Sequence, residues 1–238
     1  MKKGNLCAIL AVNLIATLLI AKPAYGTIKI LLAEGNGGIS VKNRLVGLGF
    51  SVTVSDASTW NSSFDYSPYD VVAFEYISDN PANISHLVNT VTAGDVGVVF
   101  FRGYCVENTA LALGLVSSLP TWLEYQEPAE FSVVDNSHYI TSQLDQTTYD
   151  LGYNYMTFVH NPGSNTTTLA NGPYGATLVV HNALRAVITP YYAHPENHDD
   201  ETAIGLDITK RTVEWAADVP EPGTLLLLSL GGILIRKK

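Results

Sequence analysis

Three short, almost unbroken apolar runs, 28–33, 71–76 and 96–101, constrain the fold more than any other feature of this chain. A strand that is apolar at successive positions presents greasy side chains to both faces of its sheet, so both faces must be covered. The intervening stretches supply the cover. Residues 39–48, 82–92 and 108–116 carry apolar positions at helical spacing, and a further strand is expected at 51–54. This alternation predicts βαβ units around a mainly parallel sheet.

After Pro120 the pattern changes. Strand-like stretches follow one another at 130–134, 156–160, 176–181 and 186–191 without helices between them. Residues 161–175 are rich in Asn, Thr, Gly and Pro and read as loops with at most one short strand. A closing helix runs to Ala217, with Ile204, Ile208 and Trp215 on one face as core residues.

The two ends read differently from the body. Lys2 and Lys3 precede an apolar run over 6–20 that is interrupted by Asn13 and Thr17 and leads into Ala24-Tyr25-Gly26. A charged start, a short apolar stretch and small residues at the cut site describe a secretory signal peptide over 1–26, with the mature chain beginning near Thr27. At the other end Val219-Pro220-Glu221-Pro222 leads into an apolar stretch over 225–235 and a basic terminus, Arg236-Lys237-Lys238. A helix over 225–235 rises only about 16 Å, against a hydrocarbon core of roughly 30 Å, so it suits a transient stop better than a permanent anchor. The prolines block helix extension upstream, and the cations favour the cytoplasmic face.

This tail resembles the PEP-CTERM sorting signal, whose Pro-Glu-Pro motif, apolar helix and basic end are read by an exosortase. The resemblance implies signal peptidase and exosortase as processing partners and membrane contact through the tail before processing. It also implies an exported protein of the envelope, outer surface or exterior of a Gram-negative-type bacterium, and by association extracellular polysaccharide as a partner.

Charge bounds the body. Setting aside Lys2, Lys3, Lys22, Glu221, Arg236, Lys237 and Lys238 leaves seven of 13 cations and 21 of 22 acids, a formal charge of −14. Nucleic acid and anionic lipid surfaces would be repelled, which removes both as partners of the body. Of the two cysteines, Cys7 lies in the signal, so Cys105 has no partner for an internal disulfide and stability must come from a core. Residues 27–218 suit one domain.

The order of motifs in the body is similar to that of the class I glutamine amidotransferase-like superfamily, its ThuA-like branches in particular. The motifs are Ile28-Lys29-Ile30-Leu31-Leu32, Gly97-Val98-Val99-Phe100-Phe101, His138-Tyr139-Ile140-Thr141, His194-Pro195-Glu196 and Glu214-Trp215-Ala216-Ala217. The resemblance implies a flavodoxin-like three-layer α/β sandwich. Catalytic members use a cysteine on a tight strand-to-helix turn and a His-x-Glu after a late strand, which maps onto Cys105, His194 and Glu196. There the imidazole would deprotonate the thiol, the glutamate would orient the ring, and backbone amides would hold an oxyanion.

The local sequence weighs against that chemistry. Gly103-Tyr104-Cys105-Val106-Glu107 has glycine on the upstream side only, and a nearby carboxylate raises a thiol pKa. The preferred reading is a non-catalytic binding or structural domain associated with extracellular polymer. A Cys-His hydrolase of an amide or ester is the second reading. The third is a carbohydrate-binding module using Trp60, Tyr66, Tyr69, Trp122 and Tyr125 as stacking surfaces. No cofactor or metal is expected. Gly35-Asn36-Gly37-Gly38 lacks dinucleotide spacing and reads as a turn, and the run from His194 through His198, Asp199, Asp200 and Glu201 reads as solvated surface.

Overall fold

The computed structural model describes residues 26–33, 35, 38–75, 78–101, 107–119, 122–126, 130–145, 147–152, 155–191 and 202–218. Its first half is the expected alternation: β1 (Lys29–Ala33), α1 (Gly38–Gly47), β2 (Ser51–Ser55), β3 (Val71–Phe74), α2 (Ile84–Ala93), β4 (Gly97–Phe100) and α3 (Glu107–Ala112). The second half contains β5 (Trp122–Gln126), β6 (Glu130–Val133), β7 (Thr148–Asp150), β8 (Tyr155–Val159), β9 (Thr166–Gly172), β10 (Gly175–His181) and β11 (Ala186–Ile188). It closes with α4 (Ala203–Ala216).

Five strands, β2-β1-β3-β4-β11, lie side by side and parallel. Beyond β11 the same sheet continues antiparallel through β10, β9, β6 and β7, with β8 and β5 branching from β10. The centre is therefore the parallel sheet read from the sequence, and the whole sheet is mixed.

Alternate residues of β1 show why both faces are covered. Ile30 and Leu32 pack with Val41 and Leu45 of α1 and with Ile208, Val213 and Ala216 of α4. Leu31 and Ala33 face the other way, toward Leu87 and Val91 of α2 and Ala110 of α3. These three layers make the flavodoxin-like sandwich. Two helices start on side-chain caps: Asn83 Oδ1 accepts from the His86 amide at 3.0 Å, and Thr202 Oγ1 accepts from Gly205 at 3.2 Å. Gly94, at φ +83°, ends α2 in the left-handed conformation that glycine adopts without strain.

Three expectations change. Residues 166–172 form a seven-residue strand, longer than the one short strand allowed among the expected loops. The helix expected to reach Val116 stops at Ala112, where Gly114 at φ +71° turns the chain. The last strand ends at Ile188, and Tyr191 makes a separate bridge to Met156. Among the described residues no helix is long and apolar enough to cross a membrane; the tail over 225–235 lies outside them.

Candidate functional site

In an open parallel sheet the carboxyl ends of the strands carry the loops that bind ligands, above all where the chain order reverses. Here that edge is built by Ala33, Phe74, Phe100 and Ile188. Register places Leu32 beside Ala73, and Phe74 and Ile188 on either side of Phe100. The segment holding Cys105 leaves from β4, and the segment holding His194 and Glu196 leaves the end of β11, its immediate neighbour. The fold thus roots both segments on adjacent parallel strands. Cys105, His194 and Glu196 themselves lie outside the described residues, as do Asn36, Gly37, the 194–201 acidic and histidine stretch, and the motif residues Val219, Pro220, Glu221 and Pro222.

The described residues along this edge are close-packed. Between β1 and β3, where the chain order reverses, the Ser78 hydroxyl accepts from the Glu75 amide at 3.0 Å. It stands within donating distance of the carbonyls of Ala33 (3.2 Å) and Glu75 (2.9 Å). One side chain thereby laces the two strand ends together at the position a bound phosphate would approach. Glu75 itself is 1 % exposed.

Aromatic packing seals the middle of the edge. Phe74 and Phe100 stack with centroids 5.1 Å apart, Phe101 meets Tyr191 edge-on at 6.1 Å, and the Arg44 guanidinium sits 3.8 Å above the Tyr191 ring. The first turn of α3 is served from within the protein, since Asn80 Oδ1 accepts from the Thr109 amide at 3.2 Å and its hydroxyl at 2.7 Å. The Thr109 amide is thus committed to Asn80, while the amide that follows Cys105 lies outside the described residues. Among the described residues no group of three or more His, Cys, Asp and Glu side chains could hold a metal ion.

The aromatic residues read as stacking surfaces divide. Trp60 is fully buried and donates its indole N–H to Ser55 Oγ at 3.0 Å; Tyr66 is buried against it edge-on, 6.1 Å away. Burial also raises the Tyr66 phenol to about 12. His86 closes the cluster, its ring 5.4 Å from Tyr66 and Nε2 2.8 Å from the Phe64 carbonyl. Trp60 and Tyr66 are therefore core residues that fasten the β2–β3 connection, and no sugar ring reaches them. Tyr69 is half-buried against the same cluster. Trp122 and Tyr125 lie on β5, whose backbone alone is described.

Sequence reasoning passed over Glu75, Ser78, Asn80 and Tyr191. The one available signal was Glu75, an acid placed directly after four apolar strand residues.

Residues 218–238 match the family model described as the PEP-CTERM protein-sorting motif. No curated sequence matches the chain closely enough to count as a relative. Solved structures do. A ThuA-like protein from Bacteroides uniformis superposes with a TM-score of 0.62 at 13% identity, covering 82% of this chain and 94% of that one. A protein described as a GMP synthase component from Thermoplasma acidophilum gives 0.55 at 16% identity, over 81% and 96%. A cytoplasmic protein from Salmonella typhimurium gives 0.53 at 12% identity, over 80% and 98%. At such identities the likeness is one of fold. The chain carries a PEP-CTERM sorting motif, the signal for exosortase processing and export to the cell surface, on a body of ThuA-like and glutamine amidotransferase-like fold.

Proposed function

We propose that the body, 27–218, is a binding or structural domain that associates with extracellular polymer and performs no catalysis, delivered by a signal peptide over 1–26 and by the tail over 219–238. The observation that carries this reading is the conjunction of a surface-sorting motif with a strand-end edge whose described residues are close-packed. The closure consists of the Ser78 lacing, the Asn80 cap on α3 and the Arg44–Tyr191–Phe101 stack. A strongly acidic body fits retention in a hydrated, cation-bearing polymer better than binding to a like-charged surface.

The test uses the full-length chain in an exosortase-bearing host. The protein is expected in the surface fraction with extracellular polysaccharide, released when glycoside hydrolases digest that polymer, and equally retained as Cys105→Ala. Release into the medium irrespective of polymer, with the wild type and Cys105→Ala indistinguishable, would sink the polymer reading.

A second reading rests on the adjacency of β4 and β11, the strands that precede Cys105 and His194 in the sequence. The Cys105 thiolate would attack an amide or ester carbonyl, expel the amine or alcohol with a proton from His194, and release the acid when water cleaves the thioester. Turnover of an amide or ester panel that disappears in both Cys105→Ala and His194→Ala would establish it.

A further inference from the structure

β2 is the terminal strand of the parallel half and, among the described residues, is paired on one side only, to β1. Terminal strands in natural proteins are shielded by charge, proline or bulges, because open N–H and C=O groups recruit other strands. β2 has none of these in its five residues. Its sequence, Ser51-Val52-Thr53-Val54-Ser55, reads the same in both directions.

We propose that β2 is a self-association surface through which two copies of this chain join their sheets, antiparallel, about a two-fold axis at Thr53. Such an interface is isologous, so each residue must tolerate its own symmetry partner. A palindrome meets that demand: Thr53 faces Thr53, Val52 faces Val54, and Ser51 faces Ser55.

The backbone is compatible with the same register. The Ser51 amide donates to the Ile28 carbonyl at 2.9 Å, so Ser51, and with it Thr53 and Ser55, turns its peptide groups toward β1. Val52 and Val54 then turn theirs outward. In an antiparallel pair the residues that exchange both hydrogen bonds stand directly opposite each other. Val52 opposite Val54 satisfies this on both sides of the axis and leaves Thr53 as the non-hydrogen-bonded pair between them.

Side chains and charge agree. Val52 and Val54 align with Ile30 and Leu32, on the face covered by α1, and Val54 is 36 % exposed. Across the axis it would cover the partner's Val52. Val46 of α1, on that same face of the sheet, is 51 % exposed. In a chain this acidic, residues 35–55 contain no Asp or Glu, and the first acid after β2, Asp56, falls at opposite ends of the paired strands. A five-residue ladder is small, so the association is weak and depends on local concentration at the surface.

The register gives a direct test in the exported full-length chain. A non-hydrogen-bonded antiparallel pair holds its Cα atoms about 4.5 Å apart, within disulfide range. Thr53→Cys is therefore expected to form a disulfide-linked dimer in the oxidising envelope. Ser51→Cys, whose symmetry mate would lie about 14 Å away along the strand, should form at least roughly ten-fold less. Adding Val54→Lys should abolish the Thr53→Cys dimer. The Ser51→Cys/Ser55→Cys pair should restore linkage and carries the test should Thr53→Cys misfold. An exported, protease-resistant Thr53→Cys chain that stays monomeric, or a Ser51→Cys dimer as abundant as that of Thr53→Cys, overturns the proposal.

Discussion

The parallel half and the antiparallel wing share one sheet but are held in different ways. In β1, β3, β4 and β11 nearly every side chain is buried, because helices lie on both faces. β10 and β8, next to the parallel half, are buried almost throughout, whereas farther out β6 and β7 each bury one position and the first three residues of β9 are half-exposed threonines. A two-sided core leaves a backbone hemmed in by other backbone. A one-sided wing leaves side chains with somewhere to go. The same chemical insult should therefore cost more in the first region than in the second.

Adding one methyl group to each region breaks or confirms that contrast. A Cβ at Gly97, where β4 begins, would overlap the carbonyl oxygen of Ala216 at the end of α4 and stand 3.0 Å from that of Arg185. Backbone cannot step aside, so Gly97→Ala is expected to lose on the order of 4 kcal/mol of stability. A Cβ at Gly172 in β9 would overlap the Phe158 ring, which is itself buried and packed edge-on against Tyr174 but, as a side chain, can shift more readily than backbone. Gly172→Ala should cost about 1 kcal/mol. Urea unfolding of the two variants compares them, and equal losses would show that the wing is as rigid as the centre.

How much of this was legible in the sequence follows the same divide. Runs such as Val71–Phe74 and Gly97–Phe100 announce themselves because two-sided burial demands apolar residues at every position. Thr166–Gly172 did not, because its threonines, asparagine and glycine carry turn chemistry, and it becomes a strand only through β10 and β6 on either side. Thr148–Asp150 is too short to show a period. At the site, the sequence marks which segments leave strand ends, but the contact of β4 with β11 and the Ser78 bridge from β3 to β1 are long-range pairings with no local signature. The tail was legible throughout, because its three zones are contiguous and need no tertiary partner.

A smaller effect is expected at the seam between the halves. Arg185, in the turn from β10 to β11, donates to the Ala216 carbonyl of α4 at 3.3 Å and to the Gly94 carbonyl at the end of α2. These helices cover opposite faces, so one guanidinium satisfies two helix ends and ties both outer layers to the sheet. Arg185→Met keeps the stem and removes the donors, and should cost about 1 to 2 kcal/mol. A neutral outcome in urea unfolding would mean that solvent replaces the guanidinium at both ends.

The smallest effect concerns proton binding in the same turn. His181, the last residue of β10, accepts from the amides of Ala183 (3.1 Å) and Leu184 (2.9 Å) at Nδ1, which requires the neutral ring with its proton on Nε2. Protonating Nδ1 would set a donor against two donors, and burial holds the imidazole below its ordinary pKa of 6.5. A depressed folded-state pKa means the folded chain binds this proton less readily than the unfolded chain. The stabilisation is therefore complete above 6.5 and is lost as pH falls through the lowered value. Asp56 and Asp135 also lie below their ordinary value, through hydrogen bonds from Ser58 and Ser137, but their loss begins only under pH 3.8. Melting temperature should thus decline first below 6.5 in the wild type. His181→Asn places an amide oxygen where Nδ1 stood and cannot titrate, so it should flatten that early decline while leaving the later one. If the two chains melt in parallel from about pH 7 to about pH 5, the turn is held by its backbone, and the seam is stiffer than its hydrogen bonds imply.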